Sequence, residues 1–131
     1  MSEVDMDRMY YLTKHAFEKA TGTVVPDDVK DTLISIEIVE EAFECPYYTG
    51  KCSGELRKLK CLIPCTGWQI RMVARSCVPN SSWAHELIHL FAYSVLGSAN
   101  GGHTDPRLWG SLPSAAVNAA NAAGRYEGMC D

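Results

Sequence analysis

Three side chains within five residues have the types and spacing of a metal site. His85 and His89 are four residues apart, and Glu86 directly follows the first histidine. On a helix, residues four apart lie on one face, so both imidazoles can bind one Zn²⁺. Glu86 points round the helix from the metal axis, where its carboxylate can take the proton of a metal-bound water. The segment therefore predicts a zinc site with a general base.

A third metal ligand is expected downstream, because a catalytic zinc takes three protein ligands and keeps one position for water. His103 is the leading candidate, since imidazole suits zinc and Gly101 and Gly102 let the preceding loop approach closely. Asp105 is the second candidate, although it can instead cap the next helical turn or orient a ligand histidine. Glu127 is the third and most distant candidate.

Three further residues are candidates for stabilising a tetrahedral oxyanion, because a phenol or a guanidinium can donate hydrogen bonds to developing negative charge. They are Tyr93, Arg107 and Tyr126. Tyr93 follows His89 by one helical turn and so shares its face. His15 has no partner nearby in the sequence and is interpreted as a surface residue.

The composition indicates a single folded domain over residues 1–131. The chain is 47% hydrophobic and 21% charged, with a net charge of −4. This length suffices for a buried core, and the composition excludes a disordered chain or a coiled coil. No apolar run approaches the roughly 20 residues that span a bilayer. No basic stripe exists, so a nucleic-acid partner is not expected.

Six cysteines, five of them between residues 45 and 77, predict disulfides and an oxidising compartment. A short loop from Cys45 to Cys52 is plausible, and a bridge at Cys130 would hold the C-terminal segment. No cysteine pair has the two-residue gap typical of structural zinc, so free thiols are the main alternative. No signal segment is visible, so the secreted or periplasmic protein that we expect would be a mature form. A cytoplasmic location is the alternative.

Hydrophobic periodicity predicts helices at both ends of the chain and around the metal motif. Apolar residues recur at intervals of three and four over residues 5–21, and Gly22 ends that helix. Asn80 or Ser81 caps the motif helix, which ends at Gly97. An alanine-rich helix covers residues 113–123 and stops at Gly124.

Two alternating segments predict strands. Thr32–Val39 is β-branched, and its face of Ile34, Ile36 and Ile38 is expected to be buried. Trp68–Val78 is the second strand, with a polar face suited to a sheet edge or a cleft. Residues 44–66 are interpreted as loops, with a short helix or hairpin as an option. The predicted fold is α+β, with a small twisted sheet and a disulfide-rich segment over residues 45–77.

The helix-borne sequence from His85 to His89, placed after a strand, resembles the active-site helix of the zincin metallopeptidases. The resemblance covers residues 68–109. It implies a zincin-like fold, a zinc cofactor, His85 and His89 as ligands and Glu86 as the general base. It also implies a peptide or protein substrate that lies along an edge strand of the sheet, for which Trp68–Val78 is the candidate.

The zincin subclass stays open. Ala92 and Val95 occupy the positions at which metzincins have Gly and His. The downstream glutamate of gluzincins would correspond to Glu127, and the aspartate of aspzincins to Asp105. The chain therefore resembles a compact or divergent zincin.

Two functions from different classes follow. The first is an exported zinc metallopeptidase in which Glu86 passes a proton from water to the leaving nitrogen. The alternative is a catalytically inactive, disulfide-stabilised module that binds other proteins. Zinc-dependent hydrolysis of another bond is a third, since this water chemistry is not limited to amides. An open ligand position favours catalysis, whereas a fourth protein ligand favours a structural role.

Overall fold

A computed structural model describes residues 3–45, 50–59, 67–73, 82–98 and 101–127, and these form a mixed α+β fold. The first helix, α1 (Glu3–Thr21), carries the predicted apolar stripe. Met9, Thr13 and Phe17 on this stripe are fully buried, and the Thr13 hydroxyl donates to the Met9 carbonyl at 2.7 Å. Gly22 ends the helix at φ 68°, a left-handed conformation that glycine adopts without a steric penalty.

A three-stranded sheet follows, after the short helix α2 (Asp28–Thr32). Strand β1 (Leu33–Val39) pairs in parallel with β5 (Trp68–Val73), and β4 (Gly54–Lys58) pairs antiparallel with the other side of β5. The strand order is therefore β1-β5-β4.

The order of the strands corrects two expectations. The segment beginning at Trp68 forms the central strand, not the edge, and residues 74–78 of its predicted length lie outside the described residues. The edge strand is β4, within the segment interpreted as loops. Among the β4 residues, only Leu56 is apolar and packs against the core, so no alternating pattern marks the strand.

The isoleucine face of β1 is not buried as predicted. Ile34, Ile36 and Ile38 are 58%, 44% and 47% exposed. Ile36 pairs with Ile70, which is fully buried, so the face was assigned to the correct side of the sheet. The motif helix packs against β4 and β5, and β1 extends beyond its cover.

The cysteine-rich segment contains a small hairpin. Strands β2 (Phe43–Glu44) and β3 (Lys51–Cys52) pair antiparallel, and a disulfide joins Cys45 to Cys52, as the short spacing suggested. The Phe43 ring lies 5.2 Å from the Arg71 guanidinium on the central strand. The other four cysteines, Cys61, Cys65, Cys77 and Cys130, lie outside the described residues.

The motif lies on α3 (Ser82–Phe91), which continues as a π-helical turn over Ala92–Leu96 and ends at Gly97. The predicted caps Asn80 and Ser81 lie outside the described residues. Two helices follow, α4 (Pro106–Trp109) and α5 (Ala116–Tyr126). The prediction that Gly124 ends the last helix is wrong. Gly124 is buried within α5, which continues to Tyr126. In the described part of the chain, no helix has the length and apolarity to cross a membrane.

Candidate metal centre

Helix α3 and the loop before α4 bring three histidines together. Ligand nitrogens of His85, His89 and His103 all lie within 4.8 Å of one another. The His85 and His89 Nε2 atoms are 3.1 Å apart. Two ligands at about 2.0–2.1 Å from a tetrahedral zinc would be roughly 3.3 Å apart, so the pair already has the required spacing. The structure therefore unites the two motif histidines with the leading candidate for the third ligand.

His89 is oriented by a backbone contact. Its Nδ1 lies 2.8 Å from the Gly101 carbonyl oxygen, which can only accept, so Nδ1 carries the proton and Nε2 keeps a lone pair. This is the usual second contact of a metal-binding histidine, and it fixes both tautomer and ring orientation.

The close approach of this loop depends on glycine. Gly101 has φ 66°, and a Cβ built there would lie 2.7 Å from the His89 Nδ1 and 3.0 Å from the Tyr93 ring. The adjacent Gly102 has φ 78°. The sequence prediction that Gly101 and Gly102 bring the loop close to the motif is confirmed.

The electrostatics keep the imidazoles of the two motif histidines, His85 and His89, neutral. Burial, opposed by the contact with the Gly101 carbonyl and reinforced by the other histidines, lowers the pKa of His89 to about 4. Packing against the protein, together with His103, lowers the pKa of His85 as well. Neutral imidazole is the form that binds metals, so both motif histidines are ready to act as ligands at neutral pH.

Glu86 is the one buried carboxylate beside the histidines in the described structure. It is 4% exposed, and its Oε1 lies 4.0 Å from the His85 Nε2. Its Oε2 is buried and has no hydrogen-bond partner among the described residues. Burial, with a smaller contribution from Glu55, raises the pKa of Glu86 to about 8. A buried carboxylate without a partner is costly, so the position fits one that serves a bound cation or water.

Trp109 is a component of the site that the sequence analysis did not identify. Its ring centroid lies 4.5 Å from that of His85, 4.8 Å from that of His89 and 6.3 Å from that of His103. Its indole nitrogen is buried and has no hydrogen-bond partner in the described structure. The signal in the sequence is the position of Trp109 at the end of the short helix that Asp105 caps, shortly after His103.

The alternative third ligands are engaged elsewhere. The Asp105 carboxylate caps α4 by accepting from the Arg107 backbone N–H at 2.9 Å, and it pairs with the Arg107 guanidinium at 2.7 Å. This contact lowers the pKa of Asp105. Glu127 pairs with Arg8 at 2.8 Å. Within the described residues, the clustered ligand set is the three histidines, without either carboxylate.

The oxyanion candidates differ in their surroundings. Arg107 is exposed and held by Asp105. Tyr126 is 91% exposed at the end of α5. Tyr93 lies on the same side of the Gly101 backbone as His89, since a Cβ on Gly101 would meet both side chains, and its ring is stacked on that of Trp68 at 5.1 Å. His15 is exposed on α1, as predicted.

The residues present fit a metal ion with an open position. Three imidazoles can hold Zn²⁺ or another borderline metal. In the described part of the chain no fourth protein ligand joins them, and His85 is half-exposed, so the cluster faces solvent. Comparison with known proteins found no family model, curated protein or solved structure that matches the chain. The functional argument therefore depends on the site itself.

Proposed function

We propose that the protein is a zinc-dependent hydrolase of the zincin type that cleaves peptide bonds. The observation that carries the proposal is the cluster of His85, His89 and His103 beside the buried, unpartnered carboxylate of Glu86. Three histidines and an open position are the ligand set of a catalytic rather than a structural zinc. When bound, the ion lowers the pKa of a coordinated water and polarises a carbonyl oxygen.

Each residue then has a distinct role. The three imidazoles hold the ion, and the Gly101 carbonyl keeps His89 in the tautomer that leaves Nε2 free. Glu86 accepts a proton from water and returns it to the leaving nitrogen, a task for which its position beside the His85 Nε2 suits it. Trp109 packs against the histidine rings and limits their movement.

The substrate would lie along strand β4, which reaches the motif helix at Gly54. A Cβ built on Gly54 would lie 2.3 Å from the Ser82 Cβ and 3.4 Å from the Glu86 Cγ. An extended peptide can add to such an edge through backbone hydrogen bonds. The Cys45–Cys52 disulfide is compatible with an extracellular location.

A peptide-library assay tests this proposal. The protein is stripped with a chelator, and cleavage is followed by mass spectrometry before and after one equivalent of Zn²⁺ is restored. We expect cleavage only in the zinc-loaded protein. Cleavage that persists in the metal-free protein would refute the role of the metal.

A binding module without turnover is the second candidate, and one surface favours it. Two exposed isoleucines of β1, Ile36 and Ile38, border a groove against α1 that includes Met6 and Trp83. Exposed apolar patches of this kind often bind proteins. Zinc bound at the three histidines, with no peptide cleaved, would favour this candidate over the peptidase.

A further inference from the structure

Among the described residues, strand β4 has one side that no other strand pairs with. It pairs with β5 through one side, and no strand of the described residues pairs with its other side. An exposed edge presents unpaired backbone N–H and C=O groups, to which an extended peptide can add as a further strand.

The strand passes along the candidate metal centre. Its first residue, Gly54, contacts the helix at Ser82 and Glu86. Its last residue, Lys58, pairs with Trp68, whose ring stacks on Tyr93. A strand rises about 3.3 Å per residue, so Lys58 lies roughly 13 Å along the edge from Gly54.

The charges along this edge are polarised. At the Gly54 end, the carboxylate of Glu55 is largely buried near Glu86 and lies 3.8 Å from the Arg71 guanidinium. At the other end, Arg57 and Lys58 are both exposed, and neither forms an ion pair with any described residue. Five of the other eight Lys and Arg residues that the structure describes form ion pairs, among them Arg8, Lys30 and Arg107. In a chain with a net charge of −4, this is an unneutralised pair of cations beside the site.

We propose that the Arg57–Lys58 end of β4 selects peptides with two adjacent acidic residues, about three to five positions from the cleaved bond. Successive residues of a strand point to opposite faces, so Arg57 and Lys58 lie on opposite faces of the sheet. An added strand alternates in the same way, and each residue of an acidic pair then meets one cation across the strands. The inference rests on the proposed peptidase function and adds its substrate class.

Matched peptides test the selection. Each contains a Glu-Glu or a Gln-Gln pair placed three, four or five residues from the scissile bond, on either side. For the zinc-loaded protein, we expect kcat/KM to favour the Glu-Glu peptide by about 3- to 10-fold, as two exposed ion pairs allow. The preference should shrink in high salt, because salt screens exposed charges.

Charge reversal separates local selection from overall charge. In Arg57→Glu/Lys58→Glu, the preference should invert toward a matched Lys-Lys peptide. The control, Lys19→Glu/Arg125→Glu, makes the same change in net charge on exposed parts of α1 and α5. It should retain the Glu-Glu preference. Equal preference in wild type and Arg57→Glu/Lys58→Glu would overturn the inference while leaving the peptidase function intact.

A binding assay distinguishes failure of the inference from failure of the proposed function. Fluorescence anisotropy measures the binding of labelled Glu-Glu and Gln-Gln peptides to the Glu86→Gln protein, which needs no turnover. If wild type cleaves nothing but the Glu-Glu peptide binds more tightly through Arg57 and Lys58, the peptidase function fails, and only the recognition of acidic pairs by these two residues stands. If the two peptides bind equally, the inference is wrong.

Discussion

Buried polar atoms on the two sides of helix α3 differ in whether they have a hydrogen-bond partner. On the side that packs against α1, the Trp83 indole N–H donates to the Met6 carbonyl at 2.9 Å. On the side that faces the histidines, the Glu86 Oε2 and the Trp109 indole nitrogen are buried without a partner in the described structure. Folded proteins usually satisfy such atoms, and two of the five in the described structure lie beside the one histidine cluster, which fits a site that could hold a metal ion.

The Tyr10 hydroxyl is one of three such atoms outside the histidine cluster, with the Arg71 Nε and the Asn121 Oδ1. It too is buried without a hydrogen-bond partner among the described residues. Its ring, however, packs edge-to-face on Phe91 at 5.6 Å, away from any metal-binding cluster. An unpartnered polar atom is thus a pointer to function only when groups that can do chemistry surround it, as they surround Glu86.

The largest expected effect is the fall in kcat when Glu86 is replaced, with folding retained. Glu86→Gln keeps the shape but removes the proton acceptor, so kcat should fall by about 10²- to 10⁴-fold. Zinc binding should persist, and the melting temperature should not fall, because no stabilising contact of the Oε2 atom is lost. Hydrolysis at the wild-type rate would show that Glu86 is not the general base.

The next comparison concerns two glycines with the same left-handed backbone conformation. Gly101 and Gly97 have φ 66° and 62°, but a Cβ would meet the His89 ring only at Gly101. We expect Gly101→Ala to weaken zinc affinity by about 10- to 100-fold, since it displaces the contact that orients His89. Gly97→Ala should lose stability through strain alone and keep the affinity. Calorimetric titration with Zn²⁺ measures both, and equal loss of affinity would mean that strain, not contact, is responsible.

Two tryptophans test the same contrast in stability. Trp83→Phe removes the bond to the Met6 carbonyl and should lower the free energy of unfolding by about 1–2 kcal/mol more than Trp109→Phe, which removes no protein hydrogen bond. Urea unfolding of the metal-free proteins gives both values. If Trp109→Phe were the more destabilising, the contrast between the two tryptophans would be wrong.

The smallest expected effect is the loss of stability at alkaline pH that the ionisation of Tyr10 causes. Burial is the main cause that raises the pKa of Tyr10 from 10.0 to about 12. Above pH 10 the phenol ionises in the unfolded chain while it stays neutral in the fold, so stability is lost as the pH rises from 10 to 12. By pH 11 the loss should be about 1.4 kcal/mol relative to Tyr10→Phe.

The sequence predicted the local features of the site. The convergence of His85 and His89 follows from their four-residue spacing on one helix, and the close approach of the next loop follows from the glycines before His103. Both predictions are confirmed by the geometry. The helix of residues 5–21 was predicted from its own periodicity.

The features that depend on distant partners were not predictable. Strand β4 forms because its backbone pairs with β5, whereas its own residues show no alternating pattern. The exposure of Ile34, Ile36 and Ile38 depends on how far α3 extends across the sheet. Trp109 joins the histidines because a capped turn places it there, which apolarity alone does not reveal.

The most direct test of the central claim is the zinc content and affinity of wild type and of four histidine variants, purified without a histidine tag. We predict one zinc per chain in wild type, loss of zinc in His85→Ala and His89→Ala, and weakened binding in His103→Ala. His15→Ala changes an exposed histidine of α1 and should bind zinc as wild type does. Wild type that binds no zinc even in excess metal, or His85→Ala and His89→Ala that bind it normally, would contradict the assignment.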